Sequence, residues 1–474
     1  MNQTILCKEG YLVPKNPKFT NIINELKSEL TVKPVQNCSF VKNDDISFPV
    51  YQENDEYMCV PKYYGITKIG LPDINKEIKG ETVNIQFKGK LRPLQQEIID
   101  SIVPYIKKND GGVLCLPCAA GKTVLSLYLA SYFKVKTLVI VHKTFLLNQW
   151  KERATEFTDS EIGTIQQNKI DVDGKPIVIG MLQSIAKDKY DSDIFRDFGL
   201  VIFDEAHHAP SQYFSKALPL ISCKLTIGLS ATPKRSDKLE KVLYWYFGNI
   251  MYQTKMEQNN KVLVNIINYK IEHPNFKEYK LYTGDVNRPK TINKIVEIEQ
   301  RNQYIVDMMK EVLIEDARKI IVLSDRVEHL KILKKILDDL NITTSDYYIG
   351  GMKQKALKIA ETAQVIFATY SMASEALDIP DLNTLFMVTS RREVEQSVGR
   401  ILRKINPNVR PLIYDFTDLL PSFISQGENR KKLYNKMGFE IKLIQIENNI
   451  IISSQMLDIK NNKNVNCNKL KFID

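Results

Sequence analysis

Two short runs in this chain carry residues that could do chemistry. In Leu200-Val-Ile-Phe-Asp-Glu-Ala-His207, four apolar residues lead straight into two adjacent carboxylates. A fully buried parallel strand has this form when it delivers acids to the carboxyl edge of a sheet. There Asp204 could hold a metal ion and Glu205 could orient and deprotonate a water. Upstream, Leu116-Pro-Cys-Ala-Ala-Gly-Lys-Thr123 follows another apolar run, residues 113–116. Ala120 and Gly121 would let backbone amides approach a phosphate at the start of a helix. Lys122 would place a point charge on the outer phosphates, and the Thr123 hydroxyl could reach Mg2+ together with Asp204. Leu116 stands where the usual phosphate loop has its first glycine. A phosphate-gripping loop followed by a metal-and-water carboxylate pair suggests hydrolysis of a nucleoside triphosphate with Mg2+.

These groups need a parallel sheet to hold them. From about residue 90 to 255, apolar runs at 113–116, 137–141, 177–179, 200–203 and 225–229 alternate with helical patterns such as 123–133 and 143–157. A second series follows, with strands expected at 319–323, 344–348, 365–368, 384–388 and 412–414 and helices at 327–340 and 392–402. Alternation of this kind predicts an α/β chain with two tandem doubly wound sheets and a cleft between them. Residues 1–85 read as a small α+β accessory module with a helix over 19–30 and short strands punctuated by Pro and Gly. Its tyrosines fit strand aromatics better than base-stacking platforms. The expected organisation is an accessory module (1–85), an ATP-binding domain (86–260), a linker (261–292), a second domain (293–445) and a polar tail (446–474). Residues 420–442 read as a basic amphipathic helix.

Composition narrows the class. The chain has 474 residues, 43% of them hydrophobic, and a net charge of +10 from 66 Lys+Arg against 56 Asp+Glu. That balance argues against wholesale disorder and favours an anionic partner, nucleic acid first. The longest apolar runs are strand-sized, so no membrane span is expected. Seven scattered cysteines fit reduced thiols and a soluble intracellular protein. Cys115 and Cys118 have C-x-x-C spacing but lack a second pair, so two buried thiols are expected rather than zinc.

The ordered motifs over residues 90–416 resemble a superfamily 2 helicase core with two RecA-like domains. Gln95 in Leu91-Arg-Pro-Leu-Gln-Gln96 matches that family's adenine-recognising glutamine, and Lys122 and Thr123 match motif I. Residues 137–150 resemble motif Ia, Gly180-Met-Leu-Gln-Ser184 a further nucleic-acid motif, Asp204-Glu-Ala-His207 motif II and Ser230-Ala-Thr232 motif III. Residues 321–329 resemble motif IV, 368–380 motif V and Gln396-Ser-Val-Gly-Arg-Ile-Leu-Arg403 motif VI. Leu-Pro-Cys before the phosphate loop and Arg235-Ser-Asp237 are similar to the XPB/Rad25 branch. The wording of motifs IV to VI is similar to helicases of large DNA viruses, the poxvirus transcript-release helicase among them, and to phage relatives. Two positions depart from the family pattern, Ala119 and Ala376, where glycine is usual.

The resemblance implies roles. Gln95, Ala120, Gly121, Lys122, Thr123, Asp378 and Gln396 would bind nucleotide, and Arg400 and Arg403 would bring guanidinium charge to the γ-phosphate. His142, Lys143, Gln183, Ser184, Ser324, Arg326 and Thr369 would contact a nucleic-acid backbone without reading sequence. The expected activity is an ATP-dependent helicase or translocase, with DNA ahead of RNA as partner, transcription machinery a further candidate and a monomer compatible. A viral origin would place it in host cytoplasm or a virus factory, or in the virion. A remodelling translocase without unwinding activity, an RNA helicase and a plain nucleotide switch remain the competing readings.

Overall fold

The computed structural model describes residues 3–35, 47–117, 120–187, 190–231, 237–254, 262–375, 379, 381–392, 394–400 and 409–457. Within these, the side chains of residues 374, 375, 396 and 400 lie outside the described set. The chain divides into two units, Met1–Lys255 and Met256–Asp474. No helix among the described residues is long and apolar enough to cross a membrane.

The first unit is built on an eight-stranded sheet. Its order is Lys169–Asp171, Ile162–Gln166, Ile177–Met181, Thr137–Val141, Leu200–Phe203, Leu225–Ser230, Gly111–Cys115 and Ile250–Gln253. Neighbours run parallel except in the hairpin that pairs Ile162–Gln166 with Lys169–Asp171. The five strands expected from apolar runs are all present, and they form the middle of the sheet. Each is covered on both faces, which is why its sequence is a continuous apolar run rather than an alternating one. Helix Thr144–Phe157 buries Leu146, Leu147, Trp150 and Ala154, the spacing of one helical face.

Strands within residues 5–14 and 52–75 form a second, five-stranded sheet, accompanied by helix Thr20–Leu30, whose Ile23, Leu26 and Leu30 are buried. Tyr11, Tyr57 and Tyr64 are buried there, as core aromatics are. This sheet is fastened to the larger one. Tyr64 packs edge-on against Trp245 at 5.1 Å between ring centres. The buried Lys62 ammonium donates to Glu77 at 2.6 Å and to the Lys224 carbonyl at 3.1 Å, with Asp110 at 3.4 Å. Tyr63 Oη lies 3.1 Å from Thr226 Oγ1, at the amino end of strand Leu225–Ser230.

The second unit carries another eight-stranded sheet, ordered Ser345–Tyr348, Val365–Thr369, Ile320–Ser324, Thr384–Met387, Leu412–Asp418, Leu263–Lys270, Glu440–Glu447 and Ile450–Leu457. All neighbours are parallel except the final hairpin. Three expectations change here. The 261–292 segment is not simply a linker, because Leu263–Lys270 is an inner strand of this sheet. The helix expected over 420–442 runs Pro421–Lys436 and then gives way to strand Glu440–Glu447, with Gly438 at φ 71° between them. Residues 450–457, expected within the polar tail, form a strand. Arg430 of that helix is not a surface charge. It is buried, grips both oxygens of Asp415 at 2.8–3.0 Å, and donates to the Arg391 carbonyl at 2.6 Å.

Candidate active site

Strands Gly111–Cys115, Leu225–Ser230 and Leu200–Phe203 lie side by side and parallel, so the loops that leave their carboxyl ends meet at one sheet edge. After the first, Gly121 adopts φ 87° and opens helix Lys122–Phe133. A side chain at Gly121 would put its Cβ 2.2 Å from Gln95 Nε2 and 3.1 Å from an Arg92 guanidinium nitrogen. Only glycine fits this cradle, and the free amides of a helix start face it. Gln95 is buried, and its Oε1 accepts the Arg92 N–H at 2.9 Å. The glutamine expected at an adenine therefore packs directly over the phosphate-loop glycine.

After strand Leu200–Phe203 come the two acids. Asp204 is buried. Its Oδ2 accepts the Trp150 indole N–H at 2.8 Å and its Oδ1 the Glu205 N–H at 3.0 Å. Glu205 sits at φ 49°, a left-handed conformation that costs a non-glycine residue about 1–3 kcal/mol. That turn brings its carboxylate to 3.7 Å from the Lys122 ammonium and 3.3 Å from His207 Nδ1. His207 Nδ1 also lies 3.3 Å from Ser230 Oγ, at the end of the neighbouring strand. Glu205 is thus linked through one imidazole to the strand that carries Ser230.

The two acids are driven apart in acidity. Burial, then the charge of Glu205, push Asp204 up. Burial also raises Glu205, but Lys122 and the histidines 207, 208 and 142 outweigh it and leave Glu205 below its ordinary value. Glu205 is therefore ionised at neutral pH and able to accept a proton, with Lys122 fixing its position. A buried Asp204 whose charge is costly on its own suits a cation ligand. Asp204 and Glu205 offer carboxylate oxygens, and Thr123 carries a hydroxyl in the first turn of the helix that Lys122 opens; oxygen is the donor type Mg2+ prefers. The cradle at Gly121 and this oxygen set therefore fit a Mg2+-triphosphate.

Trp150 is the residue that sequence reading passed over. Its position within a helical apolar pattern marks it as core, and nothing in that pattern reveals the bond to an acid 54 positions away. His207 is likewise more than a motif letter, because it joins Glu205 to Ser230.

The expected nucleic-acid contacts divide into two groups. His142, Ser184 and Ser324 are buried. Ser184 Oγ accepts the Gln167 N–H at 2.9 Å, and Ser324 Oγ lies 3.1 Å from His329 Nδ1 and accepts the Arg326 N–H at 3.1 Å. The His142 ring stacks 4.2 Å from that of His208, and its carbonyl accepts from Gln183 Nε2. These three side chains face inward and brace loops. Lys143, Arg326 and Thr369 are at least partly exposed at strand ends, with Arg326 Nε donating to Asn293 at 2.5 Å and Thr369 Oγ1 3.3 Å from Ser371 Oγ. Asp378 and Arg403 lie outside the described residues. Gln396 and Arg400 fall on helix Glu395–Arg400, with side chains outside the described set.

Known proteins share this stretch and this fold. The family described as "Type III restriction enzyme, res subunit" matches residues 88–235, the stretch that holds Gln95, Lys122, Asp204 and Glu205. A protein of Acanthamoeba polyphaga mimivirus, provisionally named an ATP-dependent RNA helicase, is 36% identical over 460 residues, covering 94% of this chain and 88% of its own length. A protein of Escherichia phage T5, provisionally named a helicase, is 26% identical over 413 residues, 83% of this chain and 88% of its own. Among solved structures, a fragment of a protein provisionally assigned as the HsdR subunit of a type I restriction enzyme from Vibrio vulnificus shares the fold. Its TM-score is 0.54 at 16% identity, over 78% of this chain and 71% of that one.

Proposed function

The chain belongs to the superfamily 2 helicase family, with relatives in large DNA viruses and phage, and on that premise we propose that it is an ATP-hydrolysing motor acting on nucleic acid. The observation that carries this reading is the meeting of the Gly121 cradle, Lys122, Asp204 and Glu205 at one sheet edge. Gln95 packs over the loop that would hold the phosphates and is proposed to read adenine. Lys122 neutralises the outer phosphates and steadies the Glu205 carboxylate beside them. Glu205 takes the proton of the attacking water, and the Trp150 N–H fixes the rotamer of Asp204. Asp204 and Thr123 would hold Mg2+, which would supply charge neutralisation to the phosphates.

Arg400 and Arg403 are proposed, by resemblance alone, as the guanidinium groups that stabilise the γ-phosphate in transit. Asp378 and Gln396 are proposed nucleotide contacts on the same ground. His142, Lys143, Gln183, Ser184, Ser324, Arg326 and Thr369 are proposed backbone contacts, the buried ones through the loops they hold, and such contacts make binding salt-sensitive and blind to sequence.

We take DNA as the substrate, from the similarity of Leu-Pro-Cys and motifs IV to VI to helicases of the XPB branch and of large DNA viruses, with transcript release or repair as the task. An RNA substrate is the second reading, favoured by the name of the mimivirus relative. ATP turnover measured with single-stranded DNA, duplex DNA and RNA, beside strand displacement on matched substrates, separates the two. It also separates an unwinding enzyme from a translocase that displaces only bound protein.

A further inference from the structure

Strand Leu263–Lys270 ends at the carboxyl edge of the second sheet, and helix Arg288–Ile295 begins only after an excursion of the chain. That excursion is a tight hairpin. Lys280 bridges to Val286, the Asn287 N–H donates to the Tyr279 carbonyl at 2.6 Å, and the Leu281 N–H donates to the Asp285 carbonyl at 2.8 Å. Gly284, at φ 87°, makes the turn.

The stem is packed against the domain and the tip is exposed. Phe276 packs against Tyr269 and the cluster of Ile292, Ile295 and Phe423. Glu278 accepts the Ser422 N–H at 2.8 Å, and the Tyr279 N–H donates to Thr291 Oγ1 at 3.0 Å. At the tip, Tyr282 is fully exposed and Leu281 is 38% exposed. Single exposed apolar residues are common on protein surfaces. This one differs in its setting.

Lys277 and Lys290 hold their ammonium groups 5.7 and 5.2 Å from the centre of the Tyr279 ring, and Lys280 is exposed beside the tip. Between Lys277 and Lys290 the acids are occupied internally, Glu278 by the Ser422 N–H and Asp285 by the Thr283 hydroxyl at 3.0 Å. The hairpin therefore offers an aromatic face on a mount of cations. Its exit is tied to the strand ends nearby, since Arg288 donates to the Ser390 carbonyl at 2.6 Å and lies 3.5 Å from Asp325. Asp325 and Arg326 come directly after strand Ile320–Ser324.

We propose that hairpin 279–286 is a nucleic-acid contact in which the Tyr282 ring stacks on the base exposed where a duplex opens, while Lys277, Lys280 and Lys290 hold the adjacent phosphates. The parts determine the partner chemistry. An aromatic ring stacks on any base without regard to sequence, and lysines on a short stem grip a backbone as point charges. A ring carried on a closed stem keeps its place when the strand moves past it, as a wedge between strands must. This inference rests on the reading of the chain as a nucleic-acid motor.

The test uses the full chain with forked DNA and forked RNA that carry 2-aminopurine at the first unpaired position. Wild-type protein quenches the probe on binding. Tyr282→Ala abolishes the quench and weakens fork binding about tenfold, while Tyr282→Phe retains both. ATP turnover stimulated by a long single strand is unchanged in Tyr282→Ala, which shows that the motor is intact. Equal quenching by wild type and Tyr282→Ala overturns the inference and leaves the motor reading standing. Quenching with neither protein, despite stimulated turnover, also overturns it and assigns the tip to a protein partner or to solvent. Failure of wild-type protein to bind any polynucleotide overturns the motor reading itself.

Discussion

The Trp150 indole N–H donates to Asp204 Oδ2 at 2.8 Å, and both side chains are buried. The bond leaves Asp204 one rotamer and sets which lone pairs remain for a cation. Hydrogen bonds to charged groups are worth about 1.5–3 kcal/mol. Trp150→Phe keeps the ring packing and removes the donor. Its ATP turnover should fall about tenfold to a hundredfold, and the Mg2+ concentration for half-maximal rate should rise. A steady-state ATPase titration in Mg2+ measures both.

Glu205 and Lys122 stand 3.7 Å apart, an anionic and a cationic group beside the proposed phosphate site. Glu205→Gln should lower turnover by about a hundredfold to ten-thousandfold, the usual share of a general base, and should still bind ATP. Lys122→Ala should lose ATP binding and turnover together. Nucleotide titration by fluorescence beside steady-state rates distinguishes the two variants.

Lys62 joins the amino-terminal sheet to the ATPase sheet through Glu77 and Asp110, and the Lys62 and Glu77 side chains are 6% and 5% exposed. Removing the cation strands a buried carboxylate. Lys62→Ala should destabilise the first unit by about 3–5 kcal/mol, read as a lower denaturant midpoint. A chain lacking residues 1–85 would also lose the cover that Tyr64 gives Trp245, and should be recovered in soluble form far less well than the full chain.

His329 is buried between Ser324 Oγ and Asn302 Oδ1, and burial, then the charge of Arg301, hold it well below the ordinary 6.5. A depressed folded value means that only the unfolded chain takes up a proton as pH drops below 6.5. The stability tied to His329 is therefore intact above that pH and is lost progressively as pH falls toward the folded value. Thermal midpoints measured between about pH 5 and 8 should fall more steeply on acidification for wild type than for His329→Gln. Parallel curves would remove His329 as the cause.

The parts of the fold that sequence disclosed are those where burial on two faces leaves an unbroken apolar run. Leu200–Phe203 and Thr137–Val141 are of this kind, and their ends located Asp204 and the loop after Val141. Leu263–Lys270 escaped notice because Asn265 and Asn268 interrupt its run, yet Asn265 is buried in the sheet. Ile162–Gln166 lies between a short antiparallel edge strand and the core, and its Gly and Thr hide the pattern. Side-chain pairings between distant segments have no periodicity at all. Trp150 with Asp204, Lys62 with Glu77 and Arg430 with Asp415 became visible only once the chain was folded. Ser324 and Ser184 were legible as motif positions, but the bonds of their hydroxyls to His329 and to the Gln167 N–H were not.

Polynucleotide binding and ATP hydrolysis are proposed to be coupled in this one chain. The most direct measurement is the steady-state ATP turnover of the purified protein with and without single-stranded DNA, duplex DNA and RNA, repeated at rising salt. At least one polynucleotide should accelerate turnover, and the acceleration should fade as salt displaces the strand. Turnover that is the same with every polynucleotide and with none, together with no detectable binding to any of them, would show that the chain is not a nucleic-acid motor.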